Sequence, residues 1–252
     1  MRLPLRELKW LRKAAADANR PLDALVRRRQ QGEPLQYIIG TQPFGPLELS
    51  VRPPILIPRP ETEHWVIELA ARIPESARHL LDLGTGSGCI PLLLAHLCPA
   101  LSAHAVDVNP AAVTLATENA ARCSVTRFRA FQANFLDPDF HVHAMLCPPY
   151  DVLTSNPPYI PWNEYLELPD EVKNYEDPRA LFGGPSGLEF YHAIARLAVR
   201  ERFLSSDAII ALEVGHDQAE AVGAIFESVS LRTEAWTDPW GKKRTIIAYR
   251  GT

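Results

Sequence analysis

Much of what would set this chain apart from ordinary globular proteins is missing. Cysteine is scarce: Cys89, Cys98, Cys123 and Cys147 are the only four in 252 residues. No two of them form a C-x-x-C pair, so they read as reduced, small apolar residues rather than disulfides or a zinc site. His141 and His143 have no third ligand near them in sequence and read as loop residues, so no metal is expected. No apolar run is long enough to span a bilayer, and no membrane association is expected. Positive charge is not in excess: the net charge is −4 and the isoelectric point about 6.1. Tight non-specific nucleic-acid binding depends on positive charge, so no stable nucleic-acid partner is expected. There is no internal repeat and no low-complexity tract.

What is present is a soluble composition, 46% hydrophobic and 22% charged, long enough for one sizeable core with a small appendage. The first 20 residues carry Arg2, Arg6, Lys9, Arg12, Lys13 and Arg20 against Glu7 and Asp17. Such a start is either a transit peptide or the solvated face of a helix. Residues 4–31 read as two short helices, with Pro21 at a start and Gly32 at a stop. Residues 35–57 alternate among prolines and read as short extended pieces. "RPETEHWVIELAARIP" is a helix with Pro60 in its first turn, Glu61 and Glu63 at its positive end, and an apolar stripe through Trp65, Val66, Leu69, Ala70 and Ile73. From His79 onward short apolar runs alternate with helical stretches, which implies a mostly parallel sheet covered on both faces. The expected organisation is a helical segment over 1–33, an extended linker over 34–58 and a catalytic domain over 59–252.

"LLDLGTGSGCIPLLLA" is a strand, a tight glycine loop and a helix. Gly84, Gly86 and Gly88 let the backbone turn sharply and approach a ligand, and the following helix points its N-terminus at the same place. Asp107 closes the next strand, 19 residues beyond Gly88, where a carboxylate can accept from both hydroxyls of a ribose. The pattern is G-x-G-x-G rather than the dinucleotide G-x-G-x-x-G, and Asp82 stands two residues before the first glycine. A carboxylate there repels a pyrophosphate and attracts a ligand carrying an ammonium and a sulfonium. This favours S-adenosylmethionine over NAD.

"YDVLTSNPPYI" ends a strand at Asn156 and follows it with two prolines, neither of which can donate to a ladder. In open α/β sheets ligands sit outside the carboxyl ends of strands, so Asn156 should face the same crevice as the glycine loop. A planar amide or exocyclic amine is a poor nucleophile because its lone pair is delocalised. The Asn156 oxygen and the Pro157 carbonyl can accept both of its N–H hydrogens and favour the geometry in which positive charge develops on nitrogen. Pro158 keeps the acceptors rigid, and Tyr159 offers an aromatic face. The alternative is a proline-rich turn after a buried strand.

The chain resembles a known family, the bacterial and mitochondrial glutamine methyltransferases of peptide chain release factors. The resemblance runs from about Arg27 to Arg250 and rests on "RRRQQGEPLQYIIG", "FGPLELSVRPPILIPRPETE", "LLDLGTGSGCI", "VDVNPAAVTLATENA", "YDVLTSNPPYI", "YEDPRALFGGPSGLEFYHAIARLA", "LEVGHDQ" and "DPWGKKR". It implies an α/β class I methyltransferase fold, Rossmann-like, with a seven-stranded, mostly parallel sheet and a short N-terminal helical segment. It also implies S-adenosylmethionine-dependent N5-methylation of the glutamine in the Gly-Gly-Gln loop of a release factor. The family's cofactor residues map onto Gly84, Thr85, Gly86, Ser87, Gly88, Asp107 and Phe135, with Asn156 beside them. Asn156, Pro157, Pro158 and Tyr159 map onto the glutamine site, and Thr62 and Glu63 onto the lining of its entrance. Three departures stand out: a shorter N-terminal helical domain, Ala133-Asn134 for the usual Gly-Asp, and Ser205-Ser206 with Asp207 for a glycine pair. The style of the N-terminus is more like a mitochondrial member than a bacterial one. Two other readings remain at this stage. One is an adenine-N6 nucleic-acid methyltransferase, which shares N-P-P-Y but calls for a basic groove. The other is a non-catalytic module that kept the fold.

Overall fold

The computed structural model describes residues 3–250, and Arg2 lies outside them. Helices α1 (Leu5–Asp17), α2 (Leu22–Gln30) and α3 (Leu35–Ile39) open the chain. They close on a small core of Leu11, Ala15, Leu25, Leu35 and Ile38. The basic residues Arg6, Lys9, Arg12, Lys13 and Arg20 all face outward. The stretch expected to be extended from residue 35 begins as a helix instead. Pro34 stands at its N-cap, and Gly40, at φ 90°, ends it after one turn. Extended structure starts only with the hairpin β1 (Thr41–Phe44) and β2 (Leu47–Ser50).

The remainder alternates as the sequence pattern requires. It runs through α4 (Pro60–Ala70), β3 (His79–Leu83), α5 (Cys89–Leu97), β4 (Ser102–Asp107), α6 (Pro110–Arg122), β5 (Phe128–Gln132) and β6 (Tyr150–Ser155). Two short helices, α7 (Trp162–Tyr165) and α8 (Asp170–Tyr175), interrupt the alternation. Then come α9 (Glu189–Ala198), β7 (Leu204–Glu213), α10 (Ala219–Glu227), β8 (Leu231–Thr237) and β9 (Lys243–Arg250). The large sheet has the order β5-β4-β3-β6-β7-β9-β8. β3 to β7 pair in parallel, and β9 runs antiparallel to both of its neighbours.

Strand alternation sorts the core into two faces. Leu81, Leu83, Leu153, Ile210 and Leu212 pack on the side of α9 and α10. Leu80, Val152 and Ala211 pack on the side of α4 and α5. Asp82, Thr154 and Glu213 continue this second series to the ends of their strands, so all three polar side chains turn toward α4 and α5.

One loop expectation needs correction. Ser205-Asp207 is not a turn: it lies inside β7, where pairing jumps from Tyr150–Leu204 to Val152–Ile209. The "GKKR" cluster is a solvated hairpin end, with Lys243 paired to Glu220 at 2.6 Å and Asp238 accepting from the backbone of Trp240 and Lys242. Among the described residues no helix is long and apolar enough to cross a membrane.

Candidate active site

The carboxyl ends of β3, β4 and β6 open onto one cavity of about 320 Å3. Its floor is the glycine loop. Gly84, Gly86 and Gly88 all have positive φ, 69°, 56° and 82°, which L-residues with side chains rarely adopt. Gly84, Thr85, Gly86 and Ser87 line the cavity. Gly88 does not; it faces α6, where an added Cβ would stand 3.1 Å from that of Ala116. It serves helix packing rather than ligand contact.

Asp107 lines the cavity and is held from behind. Its Oδ2 accepts from Gly86 N at 2.9 Å and its Oδ1 from Asn109 N at 2.8 Å. Burial pushes its carboxyl up, and these two backbone donors oppose the shift. Each oxygen keeps a lone pair for a ligand hydroxyl. Asp82 lies a layer deeper than the sequence suggests. It is fully buried and off the cavity wall, because its place in β3 turns it toward α5. Its Oδ1 accepts from the hydroxyl of Thr154, its partner across the strands, at 2.7 Å. Its Oδ2 has no partner, and burial pushes the carboxyl up to about 7. The hydroxyls of Thr85 and Ser87 are also buried without partners.

Phe135 lines the cavity, packed against Phe190 at 5.8 Å. Ala133-Asn134, in place of the usual Gly-Asp, keeps this wall. Ala133 N donates to Asp107 O, and Asn134 Oδ1 accepts from Leu136 N. Asn156 and Pro158 line the cavity from the β6 side, whereas Pro157 is buried behind them and Tyr159 is half-buried off the wall. From α4, Thr62 lines the cavity and Glu63 does not. Sequence reading missed Ile55, Asn109, Asp177 and Arg179 on the wall, although the quoted stretches "VRPPILIP", "VDVNP" and "YEDPRA" contain them. Asp177 accepts from Asn109 Nδ2 at 3.1 Å and from Arg179, so these loops lock together only in the folded chain.

The segment 183–187 explains its own glycines. Ile160 N donates to Leu181 O and Gly183 N to Ile160 O, which brings the two backbones into contact. A Cβ on Gly183 would meet Pro158 O at 2.6 Å and Tyr159 Cα at 2.7 Å. Gln218 ties the same loop down from the other side: its Nε2 donates to Tyr159 O at 2.9 Å and its Oε1 accepts from Gly215 N at 3.0 Å.

These features fit a nucleoside ligand with a cationic tail: an acceptor pair for a ribose, an aromatic wall, unpartnered buried hydroxyls, and carboxylates rather than free cations beside the loop. Comparison with known proteins agrees first on the class. A family model described as "Methyltransferase small domain" matches residues 66–164, and one described as "PrmC N-terminal domain" matches residues 8–40. A methyltransferase from Pyrococcus furiosus has a similar fold, with TM-score 0.59 at 18% identity over 82% of this chain and 90% of that one. The N-terminal domain of human METTL16, solved with SAH, superposes with TM-score 0.56 at 18% identity over 83% of this chain and 77% of that one. The fold is that of a class I methyltransferase.

Sequence relatives narrow this. The release factor glutamine methyltransferase of Geobacter sulfurreducens is 38% identical over 88% of this chain and 75% of its own length. The one from Moorella thermoacetica is 38% identical over 89% and 78%, and that from Lactococcus lactis 36% over 96% and 88%. The chain belongs to the release factor glutamine methyltransferase family.

Proposed function

We propose that this chain methylates the side-chain nitrogen of the glutamine in the Gly-Gly-Gln loop of a peptide chain release factor. The observation that carries this reading is the opening of Asn156 onto the same cavity as the glycine loop and Asp107. S-adenosylmethionine, when bound, supplies a methyl carbon to the amide nitrogen, the C–S bond pair passing to sulfur and one N–H proton leaving to water. Gly84–Ser87, Asp107 and Phe135 would hold it. Asn156 holds the amide: its side-chain oxygen accepts an N–H and orients the nitrogen toward the methyl carbon. The amide of Asn156 has no hydrogen-bond partner among the described residues, so its oxygen is available. The prolines that follow it, in a loop held at Tyr159 O by Gln218 and at Ile160 O by Gly183 N, keep that oxygen in place.

The relatives quoted above come from bacteria and give no support to a mitochondrial placement. The basic residues of α1 face outward while Leu11 and Ala15 are buried, which fits the solvated-face alternative.

The test is incubation with S-adenosylmethionine and a matched release factor, followed by mass spectrometry of the Gly-Gly-Gln peptide. One added methyl on the glutamine is expected, and Asn156→Ala should lower kcat by about a hundredfold or more. Methyl incorporated into nucleic acid instead of the release factor would overturn the reading.

A further inference from the structure

Glu213 is a buried carboxylate, 3% exposed, that the glycine loop does not use. It ends β7 one residue beyond the Ser155–Leu212 pair, beside the point where Asn156 leaves the neighbouring strand β6. Strand alternation turns it toward α4. There one oxygen, Oε2, takes two contacts: Thr62 Oγ1 at 2.6 Å and Trp65 Nε1 at 3.0 Å. Burial pushes this carboxyl up and the two donors oppose the shift; an indole N–H can only donate, so the oxygen accepts from it. The Thr62 hydroxyl therefore spends its single proton on Glu213, at the length of a hydroxyl–carboxylate bond. Thr62 also lines the cavity. A free threonine hydroxyl rotates and can donate or accept. With its proton committed inward, this one shows only lone pairs to whatever enters.

A hydroxyl that accepts and cannot donate, with a buried carboxylate behind it, suits a group whose nitrogen starts neutral and becomes cationic. We propose that Glu213 is a positioning residue of the transfer reaction, acting through Thr62. It fixes the Thr62 hydroxyl as an acceptor for the glutamine amide and sets negative charge behind the place where the nitrogen gains positive charge. The inference deepens the reading under Proposed function and rests on it. Trp65 has a supporting part, since its N–H holds the same carboxylate oxygen in line with Thr62.

The experiment compares wild-type enzyme with Glu213→Gln, Thr62→Val, Thr62→Ser and the Glu213→Gln/Thr62→Val double variant. Initial rates are taken at saturating S-adenosylmethionine with the release factor varied. Calorimetry of S-adenosylhomocysteine binding reads folding and the cofactor site separately from turnover. Glu213→Gln and Thr62→Val should each lower kcat by about tenfold or more, with cofactor affinity within about twofold of wild type. Thr62→Ser, which keeps the hydroxyl, should restore most of the rate. The double variant should be no slower than the slower single one, because the two residues act as a unit. A Glu213→Gln enzyme with wild-type kcat, or losses that multiply in the double variant, would overturn the inference. If Glu213→Gln does not fold, equal kcat for Thr62→Val and Thr62→Ser overturns it instead. Failure of the wild-type enzyme to methylate the glutamine brings down the proposed function and this inference with it. Wild-type transfer with an undiminished Glu213→Gln brings down this inference alone.

Discussion

At the scale of single residues the most informative group is Asp82. Its carboxyl moves from 3.8 up to about 7 because it is buried, with the nearby Thr85 and Thr154 hydroxyls opposing the shift. The folded chain therefore holds this proton more tightly than the unfolded chain does. Its contribution to stability is fully present below pH 3.8 and is lost as the pH rises toward about 7. Thermal melts of the cofactor-free protein should show this, and Asp82→Asn should remove it, raising stability at pH 8 by on the order of a few kcal/mol. A cationic ligand reverses the preference, since it favours the ionised carboxylate. Affinity for S-adenosylmethionine should be flat above pH 7 and fall by up to about tenfold per unit below it. Calorimetry from pH 5.5 to 8.5 gives the answer; a flat profile would mean that Asp82 does not sense the ligand's charge.

Among elements, the paired loops 156–160 and 182–187 govern the site. Gly183→Ala puts a methyl group 2.6 Å from Pro158 O, against backbone that cannot swing aside. The loop bearing Asn156 must shift, and overpacking of this kind is expected to cost about 1–3 kcal/mol. Because the shift falls on the reacting geometry, kcat should drop by at least about tenfold. Gly32→Ala is the control. It has nothing within 4 Å of the added Cβ and strains only its own φ of 90°, so it should cost about 1 kcal/mol and leave kcat alone. Gln218→Ala removes the donor to Tyr159 O from a part-buried position. It should lose about 1 kcal/mol of stability together with part of kcat. Denaturation midpoints and steady-state rates on the same preparations separate these cases.

Over the whole molecule, the N-terminal helices are tied to the rim of the site by Arg29. It reaches Glu7 on α1 and Glu171 on α8, each at 2.8 Å. Its own side chain is 17% exposed and that of Glu171 48%, so solvent weakens the second link. Arg59, on the cavity wall, grips Glu176 with one nitrogen against both carboxylate oxygens, just beyond α8. Arg29→Met should therefore cost only about 1 kcal/mol, and less in high salt. It should speed protease cleavage within 162–176, because it frees that excursion from its N-terminal anchor. Limited proteolysis at low and high salt would show whether the strut works as the geometry suggests.

Local patterning in the chain was enough to read the alternation of strands and helices, the glycine loop, the acidic end of β4 and the proline-stiffened Asn156. Each of these depends on local chemistry: a period of two or 3.6, a backbone conformation open to glycine, a missing N–H. The short helix α3 escaped because five residues are too few for a period to show, and Pro34 and Gly40 reveal it only as a pair. The depth of Asp82, the turn of Gly88 toward α6 and the absence of Glu63 from the wall were decided in three dimensions. So was the carboxylate of Glu213 beneath Thr62, which joins residues 151 positions apart. Such contacts depend on strand register and on which sheet face each helix covers, and those are set by packing of the whole chain rather than by any neighbouring residues.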